Sequence, residues 1–157
     1  MILENTSIMA SLTFLGDEFD TDYVTTFLDR KPDYSCKKGE GREVVKGVTY
    51  ISECTDWGIR IKQAESLDMD THLNPIFDFI EHNLDKLQLL SEKFDANWHI
   101  DVCITIQHER TPGMVLTSRQ MELASAIKAY ISFDLYAHQY TSEDWAPGKC
   151  PLCGSSS

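Results

Sequence analysis

Hydrophobic and polar residues alternate in three stretches of the chain, which predicts three half-buried β-strands. These stretches span residues 8–14, 57–61 and 100–106, and in each of them every second side chain is apolar. Successive side chains of a strand point to opposite faces, so each stretch would turn one face toward a core. Residues 44–51, with Gly47 inside, predict a further strand with a bulge or a tight hairpin.

Apolar residues recur at helical spacing in other segments of the chain. Asp20 is a candidate N-cap for a short helix that runs to Leu28. A second helix would begin at Pro75, or a turn earlier near Asp70, because proline is well tolerated in a first helical turn. The apolar stripe of this second helix comprises Leu73, Ile76, Phe77, Ile80, Leu84 and Leu87.

A third helix is predicted near the end of the chain, where Thr117 and Gln120 have the spacing of a capping box. Residues 114–116 would form a short strand before it. The apolar positions that this helix would bury are Leu123, Ala124, Ile127, Ile131 and Leu135. Asp134 would then be an isolated carboxylate at the border of the helix.

The order of the predicted elements is strand, helix, strands, helix, strands, helix. This order predicts an α+β fold, a single-domain sandwich in which about three helices pack on one face of a mainly antiparallel sheet. Residues 1–138 would form this domain. Residues 139–157 lack a periodic pattern and predict a mobile C-terminal tail.

Charge narrows the classes of partner. The chain of 157 residues has 25 acidic and 14 basic side chains, which gives a formal net charge of -11. Nucleic-acid binders and anionic membrane surfaces both need basic side chains, so we expect neither partner. No apolar run approaches the ~20 residues of a membrane span. A basic protein remains as the natural partner. The alternative interpretation is that the negative charge only keeps the protein soluble.

The five cysteines favour reduced thiols in a cytoplasmic protein, because their number is odd and they are scattered. Cys150 and Cys153 form a CxxC pair that resembles half of a zinc knuckle. A closed zinc site needs four ligands, and the chain has no second CxxC. Three interpretations of this pair remain open: an incidental tail, a metal site and a redox pair.

Known catalytic patterns are absent from the sequence, which has no HExxH, no GxSxG and no glycine-rich phosphate loop. We therefore expect no enzyme, no catalytic residue and no cofactor. His99 and Cys103 would share a strand face but lie ~13 Å apart, too far for a thiol–imidazole pair. A ligand-binding or metal-binding module that uses the face around His99, Asp101 and Cys103 is the alternative hypothesis.

Carboxylates cluster at the start of the first helix and along the second. The early group, Asp17, Glu18, Asp20 and Asp22, lacks the spacing of an EF-hand calcium loop, so helix capping and a partner surface are the two readings. The second group contains Asp78, Glu81 and Asp85. If the two groups lay side by side, they would form one negative field that accelerates association with a basic partner.

Five segments together resemble the bacterial family called domain of unknown function 4279. They are "ASLTFLGDEFDTDYVTTFL", "KPDYSCKKGE", "DWGIRI", the "DMDTHLNPIFDFI" helix and the closing "LASAIKAYISFDLYAH". The segments cover nearly the whole chain up to His138. The resemblance implies a small intracellular bacterial protein and supplies no catalytic residues.

By analogy with small acidic bacterial immunity proteins, we expect this chain to neutralise a basic toxin domain, a nuclease, by occluding it. Aromatic side chains such as Tyr34 would supply contacts at the centre of the interface. No metal ligand is assigned, and the oligomeric state is left open. The residues expected to bind the partner are Asp17, Glu18, Asp20, Asp22, Tyr23, Asp78, Glu81, Asp85 and Trp98.

Overall fold

The computed structural model of the chain describes residues 5–108 and 110–137. Seven strands and four helices occur in these residues. The strands are β1 (Ser7–Gly16), β2 (Tyr34–Cys36), β3 (Gly41–Val45), β4 (Val48–Ile51), β5 (Thr55–Glu65), β6 (Asn97–Ile106) and β7 (Tyr130–Ala137). The helices are α1 (Thr21–Leu28), α2 (Met69–His82), α3 (Leu84–Phe94) and α4 (Ser118–Ala126).

Five strands form one sheet in the order β2-β5-β1-β6-β7, and β3 and β4 form a separate hairpin. Every pair in the large sheet is antiparallel except β6–β7, which is parallel. Parallel neighbours need a crossover connection, and α4 lies within it. The prediction of an α+β fold with a mainly antiparallel sheet is confirmed.

Strand alternation divides the large sheet into a buried face and an open face. Ile8, Leu12 and Phe14 of β1 are completely buried in one cluster with Leu73 and Phe77 of α2. Ala10 shares their face, whereas Met9, Ser11 and Thr13 point to the opposite side of the sheet, so the core lies between one sheet face and the helices.

Two tryptophans lie at the centre of the core. Trp57 and Trp98 are fully buried, and their rings meet edge to face with centroids 6.4 Å apart. Each indole donates a hydrogen bond of 3.0 Å, Trp57 to the Thr25 hydroxyl and Trp98 to the Leu87 carbonyl. Because a buried N–H without an acceptor is costly, these bonds fix α1 and α3 against the sheet.

The described chain has four helices instead of about three, because the predicted middle helix is divided at Asn83. The Asn83 amide side chain donates to the Phe79 carbonyl at 2.9 Å and so occupies an acceptor at the end of α2. Asparagine competes with the helical backbone in this way, which favours helix ends. The predicted stripe is nevertheless buried on both sides of the break, as Leu73 and Leu87 show.

The prediction that the last helix extends to Leu135 was wrong. The capping box of Thr117 and Gln120 is confirmed, but α4 ends at Ala126 and residues 130–137 form β7. Lys128 adopts a left-handed conformation with φ 52°, which ends the helix. Asp134 therefore lies on a strand, opposite Cys103. Residues 114–116 form no strand.

Other helix ends use the same conformation. Asp29 after α1 has φ 51° and Asp95 after α3 has φ 50°, although neither is a glycine.

The predicted hairpin at residues 44–51 is confirmed as β3–β4, with Gly47 at φ 82° in its turn. The predicted tail at residues 139–157, with Cys150 and Cys153, lies outside the described residues.

Gly58 allows the short edge strand β2 to pack on β5. A Cβ atom at Gly58 would lie 2.2 Å from the Cζ atom of Tyr34, whose ring covers this position. The same ring places its hydroxyl 2.5 Å from the Thr13 hydroxyl on β1. Only a residue without a side chain permits this arrangement.

We expect Gly58→Ala to lower the free energy of unfolding by about 1–3 kcal/mol, because the added methyl group displaces the Tyr34 ring. Urea denaturation measures the change. In a Tyr34→Ala background the same substitution should lower the free energy of unfolding by clearly less. An equal cost in both backgrounds would show that Tyr34 is not the group that excludes a side chain at position 58.

Candidate functional site

The acidic turn before α1 is partly used within the fold. Asp20 is the N-cap and accepts hydrogen bonds from the backbone N–H groups of Asp22 at 2.9 Å and Tyr23 at 3.2 Å. Asp17 forms an ion pair with Lys38, and this hydrogen bond raises the pKa of Lys38. The capping interpretation is therefore confirmed for Asp20.

The surface around this turn is of mixed charge. It borders an open depression of about 540 Å³, lined by Glu18, Phe19, Asp20, Asp22, Lys37, Lys38 and Thr55. In the part of the chain that the structure describes, Glu18 and Asp22 form no ion pair, and both are exposed. These two carboxylates remain available to a partner.

The carboxylates of α2 hold α4 in place. Arg119 donates from one nitrogen to Asp78 at 2.8 Å and to Glu81 at 2.6 Å. Beside it, the Gln120 amide donates to Asp70 at 3.1 Å and to Asn74 at 3.2 Å. We call these two residues and their four acceptors the α4 clamp. It fixes the first turn of α4 on α2.

The early acidic group lies beside the α1–α3 pair, whereas Asp78 and Glu81 of the second group lie on the α2–α4 pair. Tyr23 of α1 packs on Phe94 of α3, with ring centroids 5.6 Å apart. Lys93 of α3 lies 4.9 Å from the Tyr23 ring centroid, and Lys86 lies 5.9 Å from that of Phe27. Basic side chains thus accompany the acidic ones here. Asp85, in the first turn of α3, is exposed.

The expected aromatic contacts have different environments. Trp98 is fully buried, so it contacts the core and is not accessible to a partner. The sequence contained the signal for this, because Trp98 shares the strand parity of Ile100 and Val102. Tyr23 is 38% exposed and Tyr34 is half-buried. Of the assigned aromatic residues, Tyr23 is therefore the accessible one.

A chain of polar side chains crosses the open face of the sheet. The Tyr34 hydroxyl lies 2.5 Å from the Thr13 hydroxyl, which donates to one oxygen of Asp101 at 3.5 Å. Ser132 donates to the other oxygen of Asp101 at 2.5 Å. These four residues belong to β2, β1, β6 and β7. We call them the open-face network. Ser132 was missed because the sequence placed it in a helix.

His99, Asp101 and Cys103, which the alternative hypothesis of a ligand-binding or metal-binding module uses, lie on this same face. The His99 ring stacks on Tyr130 with centroids 5.0 Å apart. Burial, with a smaller contribution from the Asp134 charge, raises the pKa of the Cys103 thiol. A raised pKa lowers the thiolate population, so this thiol is a poor nucleophile. Among the described residues, no group of three or more His, Cys, Asp or Glu could hold a metal ion.

Comparison with known proteins identifies the family. A family model described as "Domain of unknown function (DUF4279)" matches residues 5–138. The chain belongs to this family. No curated protein and no solved structure matches it.

The match confirms the resemblance expected from the five sequence segments, and it covers every described element of the DUF4279 chain. None of the helices in the described residues is both long enough and apolar enough to cross a membrane.

We expect Arg119→Ala to lower stability at neutral pH and to lose this effect in acid. Arg119 lowers the pKa of Glu81 through its hydrogen bond, so the clamp stabilises the fold above the ordinary carboxyl pKa of 4.5. The contribution disappears as the pH falls through the still lower pKa of the folded state. Urea denaturation at pH 7 and pH 3 measures the difference, with Arg119→Lys as the partial replacement. A difference that does not shrink as the pH falls below 4.5 would contradict this role.

Proposed function

We propose that this protein is a cytoplasmic immunity protein that binds a basic toxin domain, a nuclease, and neutralises it by occlusion. The observation that carries the proposal is the net charge of -11, with exposed carboxylates at Glu18, Asp22 and Asp85 that form no ion pair in the described chain. A nuclease binds its substrate through Lys and Arg side chains. A protein that covers those side chains with carboxylates competes with the nucleic acid directly.

The contact surface that we propose is centred on Tyr23. Stacking on Phe27 and edge-to-face contact with Phe94 hold its ring in position. A rigid, partly exposed aromatic residue is a typical interface anchor, because little conformational entropy is lost when a partner covers it. Glu18 and Asp22 precede Tyr23 in the sequence and would pair with basic residues of the toxin.

Asp78 and Glu81 contribute mainly through their long-range field. Two carboxylates share the single guanidinium of Arg119, so the cluster keeps a negative charge. A basic group of the toxin would have to compete with Arg119 for direct contact. Such a field acts on the association rate more than on the short-range contacts of the complex.

Neutralisation of the unpaired carboxylates tests the proposal. The variant Glu18→Gln/Asp22→Asn/Asp85→Asn should associate at least ~10-fold more slowly with the toxin domain at low ionic strength. The difference should shrink as salt is added, because exposed charges are screened. The partner is sought as a basic C-terminal domain in the product of the adjacent upstream gene, and stopped-flow mixing measures the rate. An upstream gene that encodes no such domain would count against the proposal.

The matched control is Asp29→Asn/Glu53→Gln/Glu122→Gln, which removes the same charge from exposed positions elsewhere. Equal slowing by both sets would mean that total charge acts without a defined surface. No slowing by either set, or no binding of that domain by the unaltered protein, would end the proposal.

A second candidate function is a small-ligand-binding regulatory module, and the open-face network favours it. Its side chains come from four strands and present hydroxyls and a carboxylate on the face opposite the helices of the described residues. Arg60 lies 4.6 Å from the Tyr34 ring centroid and adds a cation beside this network. Such a set can bind a polar ligand through several directed hydrogen bonds.

Ligand-induced changes in thermal unfolding test this second candidate. A panel of polar metabolites and divalent cations should contain a compound that raises the unfolding temperature, and Asp101→Asn should abolish that rise. Glu53→Gln is the control for the loss of one exposed charge. The candidate is rejected if no compound stabilises the protein, or if Asp101→Asn leaves the stabilisation intact.

A further inference from the structure

The two edges of the large sheet are unequal. One edge is β2, which has three residues, and the other is β7, which has eight. Natural proteins protect edge strands by keeping them short or by placing proline or lysine on them. β7 has the sequence YISFDLYA and contains neither residue. Within the described residues no strand pairs with its outer side.

The side chains of β7 are unusually exposed for apolar residues. Tyr130 is 60% exposed, Leu135 is 51% exposed and Tyr136 is 58% exposed. Exposed aromatic and aliphatic residues along an unpaired edge indicate an interaction surface. The free edge supplies backbone donors and acceptors, and the side chains supply the apolar contact.

β7 is also a chemical palindrome centred on Phe133. Two antiparallel copies of the strand, aligned at this residue, place Tyr130 opposite Tyr136 and Ile131 opposite Leu135. Phe133 then meets Phe133 of the second copy, and Ser132 lies opposite Asp134. Every pair joins residues of like chemistry, and the single acidic residue avoids its own counterpart.

The alignment also preserves the faces of the sheet. Odd-numbered residues of β7 share the helix-covered face, as the pairing of Ile131 with buried Ile100 shows. Even-numbered residues share the open face with Asp101 and Cys103. In the palindromic alignment odd residues meet odd residues, so both copies would keep their helices on the same side.

We propose that the outer edge of β7 is a dimerisation surface, on which β7 of a second copy of this chain pairs in antiparallel orientation about Phe133. The two five-stranded sheets then form one continuous sheet with a two-fold axis at its centre. Such isologous contact requires a self-complementary surface, which the palindrome provides.

Neighbouring alignments are less favourable. A shift by two residues in one direction places Asp134 opposite Asp134 of the second copy, which is repulsive. A shift by two residues in the other direction shortens the pairing to the first five residues of β7. The alignment about Phe133 uses seven residues and opposes no like charges.

Paired cysteines test this register directly. Tyr130→Cys and Tyr136→Cys are prepared as separate full-length proteins in which Cys150 and Cys153 are serine, and the two are mixed under mild oxidation. The mixture should form disulfide-linked dimers, because directly opposite residues of antiparallel strands have Cα atoms about 4.5–5.5 Å apart. Either variant alone should form few disulfide-linked dimers. Equal cross-linking by the single proteins would overturn the register.

Light scattering after size exclusion measures the dimer itself. The unaltered protein should approach twice its 17.9 kDa mass as its concentration rises. Leu135→Lys should shift it to the monomer, whereas Leu89→Lys, at a comparably exposed position on α3, should not. A constant mass of 17.9 kDa at every concentration, or equal effects of the two substitutions, would overturn the proposal.

The dependence on ionic strength distinguishes this dimer contact from the proposed binding of a toxin. Both copies carry a net charge of -11, so screening should strengthen dimerisation, whereas it should weaken attraction to a basic partner. Dimerisation that weakens steadily with added salt would contradict an apolar edge contact and would overturn the proposal.

Discussion

The structure depends on the antiparallel pairing of β1 with β5 on one side and with β6 on the other. The even-numbered residues of this central strand from Ile8 to Phe14 point into the core, and the odd-numbered residues between them point to the open face. Since the side-chain period of a strand is two, a register slip of one residue would exchange the two faces. The helices, the tryptophan pair and the open-face network all follow from that register.

Much of this arrangement was predictable from local patterns. The strands around β1, β5 and β6 have clear alternation, and the caps at Asp20 and Thr117 are short-range signals. β7 was not predictable in this way, because Ile127, Ile131 and Leu135 also fit a helical spacing of four. Its strand conformation depends on pairing with β6, which is a tertiary interaction. The apolar residues Ile131, Phe133 and Leu135, which alternate with other residues, were the local signal for a strand.

The candidate site was harder to predict, because its contacts join distant parts of the chain. Arg119 is 41 residues from Asp78, and Asp101 is 31 residues from Ser132. Composition supplied the excess of negative charge, but not how much of it the fold uses internally. Asp20, Asp78 and Glu81 have direct structural partners, whereas Glu18, Asp22 and Asp85 form no ion pair in the described chain. Charge counts alone therefore overstate the surface that is free for recognition.

Three helices of this protein end in left-handed residues that are not glycine, namely Asp29, Asp95 and Lys128. For a lysine this conformation costs about 1–2 kcal/mol, and aspartate tolerates it better. Natural sequences are rarely optimised for stability alone, because selection acts only below the threshold that function requires. Substitution of these three residues by glycine would consequently raise thermal stability and leave the core and the open face unaltered.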